Sequence, residues 1–306
     1  MKRLHVGAPL AVMGVLVACA QLKDLPERSV EYLKERGSKN VTTVGDNAIT
    51  AVEHGDLGRS ATFSMEQEFR LGKSIAANVL TRLGAHALDP EHPVARYLRD
   101  VGAVVALAAA ERGAPEDRPY PMKGYRFIVV EATQVNAVGM PGGFVAVTTG
   151  ALRAARSEDE LAAIVAHEIA HVQRGHAISP VERARQQEHM TSTLLAGTDD
   201  VVHVFFSKVV TLGADFVLDK GCGKANELAA DAFAAQILED AGYDPGALSR
   251  FLSRLQGRAA EGGFFSRHPP ASERLAALGE RPRAATASDG EVRRLARFEA
   301  QVRELP

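Results

Sequence analysis

Between Ser157 and Gly175 the chain carries an apolar run that opens on a hydroxyl, holds two histidines four positions apart and closes on a glycine. Ser157-Glu158-Asp159-Glu160 sets a hydroxyl at the N-cap and a carboxylate three residues on, the pattern of a capping box. Gly175 supplies the residue most at ease in the left-handed conformation that ends a helix. The pattern predicts a helix from Glu158 to about Arg174, with Leu161, Val165 and Val172 forming an apolar stripe. On it His167 and His171 share one face, one turn apart, close enough to bind a single cation. Glu168 lies about 100° round the axis from His167, within reach of a water on that cation without being a ligand.

A catalytic zinc site takes three protein ligands and keeps one position open for water. The longer motif, with Gly three and His six residues beyond the second His, fails because Arg174 and Ala177 stand there. His176 falls one place short and reads as a polar residue just past a helix end. The better third ligand is Glu227, in Glu227-Leu228-Ala229-Ala230-Asp231. Its spacing from Asp231 puts two carboxylates on one helix face, so Glu227 completes a His2Glu set. Asp231 is then placed to accept the Nδ1–H of a ligating histidine and fix its tautomer. One zinc ion per chain is the cofactor this set implies, with Glu168 as general base on the water.

Around these residues the pattern is predominantly helical with a short β-rich interlude, an α+β chain with a small sheet beside the metal-binding helices. Ser64 opens a helix through Phe69, Ile75 and Val79, and Pro93 opens another to about Ala110. Tyr125–Glu131 and Phe144–Thr149 read as strands separated by Pro141-Gly142-Gly143. Gly143, Phe144, Val145, Ala146 and Val147 are expected to form an exposed edge strand along which an extended substrate lies, adding a strand through its main chain. Val201–Leu218 is apolar but interrupted by His203, Lys208 and Asp215, which favours a buried or lid-forming helix over a membrane span. A basic amphipathic tail follows Gly279 and is expected to be peripheral.

The 306 residues carry a formal net charge of -2, which gives no concentrated basic surface for nucleic acid. Met1-Lys2-Arg3 and the apolar stretch after it read as a signal peptide over 1–18. Leu16-Val17-Ala18-Cys19 resembles a bacterial lipobox, which makes Cys19 a lipidation site and 19–60 a tether on a membrane. Ala20 after the Cys favours the outer membrane. With only Cys19 and Cys222 present, no disulfide framework exists.

Four blocks then carry a resemblance: Asn136-Ala137 through Pro141-Gly142-Gly143-Phe144 to Gly150; His167–His171; Glu227–Asp231 running into Ala241-Gly242-Tyr243-Asp244-Pro245; and His268-Pro269 followed by Arg274. In this order they resemble family forty-eight of the metallopeptidases, over roughly residues 64 to 280. The resemblance implies a gluzincin-type domain over 61–280, followed by the tail at 281–306. It also implies zinc on His167, His171 and Glu227, and Glu168 as base. It brings His268 and Arg274 to the cleft as candidate oxyanion donors, with His268 alternatively a latch on the open metal position. Cys222, Gly223 and Lys224 depart from the aromatic, Ser and Arg usual before the Glu-bearing helix, which bears on specificity and rate. The expected activity is endopeptidase cleavage of unfolded or misfolded envelope proteins on the periplasmic face. The rival readings are a zinc-binding chaperone and an integral-membrane relative.

Overall fold

The computed structural model describes residues 62–82, 85–114, 117–183, 210–256, 268–279 and 288–306. The chain divides into Met1–Gly58, which lies outside the described residues together with the signal peptide, Cys19 and most of the tether, and Arg59–Pro306, which holds everything below. Residues 201–209 of the apolar 201–218 segment also lie outside them. No helix among the described residues is long and apolar enough to cross a membrane.

Helix α1 (Met65–Arg82) begins where Ser64 and Gln67 cap each other reciprocally, Ser64 Oγ accepting from Gln67 N at 3.2 Å and Gln67 Oε1 from Ser64 N at 3.0 Å. Helix α2 (Pro93–Arg112) starts on Pro93, whose missing N–H costs nothing at that position. Strands β1 (Arg126–Val130), β2 (Ala137–Met140) and β3 (Phe144–Thr148) follow, then the short α3 (Thr149–Ala154) and the long α4 (Glu158–Gln173). A π-type turn at Phe216–Lys220 leads to α5 (Lys224–Asp240), α6 (Ala247–Leu255), α7 (Ala271–Leu278) and α8 (Asp289–Val302). The described residues are thus mostly helical with one small sheet, as the sequence pattern implies.

The sheet corrects one expectation. Its order is β1-β3-β2, with β3 parallel to β1 and antiparallel to β2, so Phe144–Thr148 is the central strand, paired on both sides. Gly143 and the strand of Phe144, Val145, Ala146 and Val147 therefore offer no free edge for substrate. The reason lies in their burial: Val145 and Val147 enter a core shared with α2, α4 and α5, while Phe144 and Ala146 enter a second core beneath α1 with Leu71, Ile75 and Met140. A strand apolar at every position belongs where both faces are covered. The edge nearest α4 is β2. The turn joining β2 to β3 needs Gly142 at φ +71°, and its N–H is accepted by the buried Glu68 of α1 at 3.1 Å.

Every residue of α4 from Glu158 to Gln173 is buried. Its alanines let neighbours approach, and Gly139 of β2 lies so close that a Cβ there would meet Glu168 O at 2.5 Å. Ser157 Oγ caps the helix by accepting from Glu160 N at 3.2 Å, but the Glu160 carboxylate reaches Arg156 N and Arg254, so only half of the expected capping box forms.

The C-terminal helix also corrects an expectation, because it is no peripheral tail. Arg297 of α8 makes a two-pronged pair with Glu158, Arg294 makes another with Asp159, and Phe298 enters the main core. Tyr97 and Tyr243 donate to the two Glu158 oxygens at 2.8 and 3.1 Å. Burial, with Glu158 beside them, pushes both phenols well above their ordinary pKa, so they remain donors. Helix α8 thus clasps the acidic first turn of α4. Arg297→Met should lower stability by ~1–3 kcal/mol, the range for hydrogen bonds to a buried charge. Arg293→Met, on the exposed face of the same helix, should change it by less than ~0.5 kcal/mol. Urea denaturation decides, and equal effects would refute the clasp.

Candidate active site

Helices α4 and α5 pack together and turn five acidic or imidazole side chains inward, His167, Glu168, His171, Glu227 and Asp231; α7 and the loop before it add Arg274 and His268. His167 Nε2 lies 3.1 Å from His171 Nε2, 3.4 Å from Glu227 Oε2, and His171 Nε2 lies 3.6 Å from Glu227 Oε1. His268, held just before Pro269, places its Nδ1 in contact with Glu227 Oε2. One ligand atom from each of His167, His171, Glu227 and His268 falls within 4.8 Å of all the others. The approach is through Nδ1 of His268, not Nε2.

Behind this cluster the histidines have different supports. His167 Nδ1 lies 2.9 Å from Asp231 Oδ1, and Arg274, 1% exposed, holds Asp231 with two bonds of 2.8 and 2.6 Å while its Nη2 stands 3.4 Å from His167 Nδ1. Arg274 therefore sits on the Nδ1 side of His167, opposite the Nε2 atoms that face Glu227, where it is bound to Asp231 and placed to orient the imidazole. That location does not suit the oxyanion role expected of it. His171 Nδ1 lies 3.1 Å from Nδ1 of His176. His176 was legible only as a polar residue past a helix end. The signal that locates it is the left-handed Gly175 immediately before it, which folds the chain back on the last turn.

Glu168 accepts the Gly139 N–H through Oε2 at 2.6 Å, and its Oε1 is buried without a hydrogen-bond partner among the described residues. Glu227 Oε1 is in the same condition. A buried, unsatisfied carboxylate oxygen costs roughly 1–3 kcal/mol, so two of them beside facing imidazole nitrogens call for a partner of another kind.

The electrostatics say which kind. Burial tends to raise Glu227, yet the close imidazoles of His167, His171 and His268 hold it ionised far below the usual carboxylate range. Asp231 is likewise held low against burial, chiefly by Arg274 and then by His167. Burial and Arg274 depress His167, but Asp231 and Glu227 outweigh them and lift it to about 9. Burial pushes His268 down to about 3 and His176 to about 4. The field at His167 thus favours positive charge, while His268 and His176 stay neutral. Three imidazoles and a carboxylate around such a point fit a divalent cation with nitrogen and oxygen ligands.

Comparison with known proteins agrees with this geometry. The chain is 25% identical over 224 residues to the Beta-barrel assembly-enhancing protease of Escherichia coli O157:H7, covering 70% of this chain and 42% of that protein. It is 26% identical over 223 residues to the Mitochondrial metalloendopeptidase OMA1 of Schizosaccharomyces pombe, covering 71% of this chain and 61% of that one. The chain thus spans less than half the length of the assembly-enhancing relative. The family model described as Peptidase family M48 matches residues 96–282, which include α4, α5, His268 and Arg274. With that match over more than half of its length, laid on a helix pair that gathers four potential ligand side chains, the chain belongs to Peptidase family M48.

Proposed function

We propose that this chain is a zinc endopeptidase that cleaves misfolded proteins of the bacterial cell envelope, with His167, His171 and Glu227 holding the ion. The observation that carries the reading is Glu168: one of its oxygens is fixed by Gly139 N–H and the other is buried without a partner. A structural metal site has no use for such a group, whereas peptide hydrolysis needs a base whose free oxygen meets a water. Zinc, when bound, supplies Lewis-acid polarisation of the scissile carbonyl and eases ionisation of water near neutral pH. Glu168 takes the proton of the attacking water and passes it to the leaving amine. Asp231 accepts from His167 Nδ1, and Arg274 holds Asp231 in place, so both act as positioning residues.

The relative's name, an assembly-enhancing protease for β-barrels, supports envelope proteins as the substrate class. The lipobox-like Leu16–Cys19 supports a lipid anchor at Cys19, with the catalytic domain on the periplasmic face of the outer membrane. The domain boundaries at 61 and 280 are part of the same reading, with α8 as an added clasp.

Glu168→Gln should keep zinc bound and lower casein cleavage ~10²–10⁴-fold, the usual contribution of a general base. Glu227→Ala should lose both metal and activity. Metal analysis beside a cleavage assay tests the pair, and undiminished proteolysis in Glu168→Gln would sink the mechanism. A zinc-binding chaperone would suppress casein aggregation equally in wild type and Glu168→Gln and cleave it in neither.

His268 reads best as a latch. One of its nitrogens lies within 4.8 Å of ligand atoms of His167, His171 and Glu227, so His268 bound to the ion would take the position that a substrate carbonyl needs. His268→Ala should therefore raise basal cleavage several-fold with zinc retained. A loss of cleavage would assign it to the oxyanion instead.

A further inference from the structure

Three backbone bonds finish α4: Arg174 N to Ala170 O at 2.9 Å, Gly175 N to Val172 O at 3.1 Å and His176 N to His171 O at 2.9 Å. With Gly175 at φ +71° they fold the chain back on the last turn. The last bond joins the main chains of the same two residues whose imidazoles meet, Nδ1 to Nδ1 at 3.1 Å with ring centroids 5.1 Å apart. Backbone and side chain thus hold His176 against His171 together.

Two facing Nδ1 atoms at that distance share one proton, so one ring donates and the other accepts. Nε2 of His171 stands in the ligand cluster and must offer a lone pair to hold a cation. The shared proton therefore resides on His171 Nδ1. His176 accepts through Nδ1 and carries its own proton on Nε2.

We propose, resting on the metal-centre reading above, that His176 is a positioning residue whose neutral Nδ1 fixes the ligating tautomer and the ring orientation of His171. The two ligating histidines are then supported differently. His167 leans on a carboxylate neutralised by Arg274, and His171 leans on an uncharged imidazole. This adds orientation without a second uncompensated negative charge in a buried site, where such a charge is costly. His176 is half-buried, lies outside the main core and lines a cavity of about 410 Å³ with Asp117, Arg174, Phe233 and Gln236, so its ring can be replaced by a smaller side chain without breaking that core.

The test uses the full chain with His176→Ala, His176→Leu and His176→Asn, because Asn Oδ1 sits where Nδ1 of His sits and accepts in its place. Zinc affinity is measured by competition with a chelating dye, and the His171 Nδ1–H resonance of the zinc-loaded protein by nitrogen-edited NMR. Ala and Leu should weaken zinc ~10–100-fold, the usual effect of losing a partner behind a ligand, and should shift that proton upfield. Asn should restore affinity to within ~threefold and return the downfield proton. Should the Ala and Leu variants not fold, as thermal denaturation of the metal-free chains would show, Asn against wild type decides: a ~10-fold or greater loss in a folded Asn variant overturns the proposal. Equal affinity across all four proteins also overturns it. A wild-type chain that binds no zinc removes the metal-centre reading and this inference with it, whereas zinc bound equally well without His176 removes this inference alone.

Discussion

Every residue of α4 is buried, including three carboxylates at its start and two histidines and a glutamate near its end. A helix enclosed on every side cannot hand its polar groups to water, so each must find a partner from another element. The rest of the molecule is arranged around those demands. Arg294, Arg297 and Arg254, with Tyr97 and Tyr243, answer the acidic first turn from α8, α6, α2 and the loop after α5. Acidic residues also suit a helix N-terminus, where the backbone dipole is positive.

The far half of α4 makes the opposite kind of demand. Its imidazoles and Glu168 have partners from β2, α5, α7 and the turn after the helix, yet the ligand atoms face one another and two carboxylate oxygens remain unsatisfied. An arrangement held so firmly from behind suits the metal-centre proposal, in which the protein fixes the ligand atoms in advance.

The central strand and the C-terminal helix departed from the reading of the chain, both for reasons of packing. Phe144–Thr148 reads as a strand from any window, but whether a strand is central or at an edge depends on which segments pair with it, and β2 takes the edge by folding back through Pro141–Gly143. The amphipathic α8 reads as a surface helix because Arg294 and Arg297 are basic, yet their partners Glu158 and Asp159 lie more than 130 residues away. Arg274 shows the same limit. Its charge was legible, but the side of His167 on which it would stand was not.

The sequence by itself determined the helical periodicity, the capped start and glycine stop of α4, the four-residue spacing that puts His167 and His171 on one face, and the matching spacing of Glu227 and Asp231. These follow from local geometry, since one helical turn brings such pairs together whatever surrounds them. Only the tertiary structure decided which oxygens and nitrogens meet: Asp231 with His167, His176 with His171, His268 with Glu227, and Arg274 with Asp231 rather than with the open side of the site. Those choices depend on how α4, α5 and α7 cross and where the loop before Pro269 enters, distances set by packing between segments far apart in the chain, which no local pattern encodes.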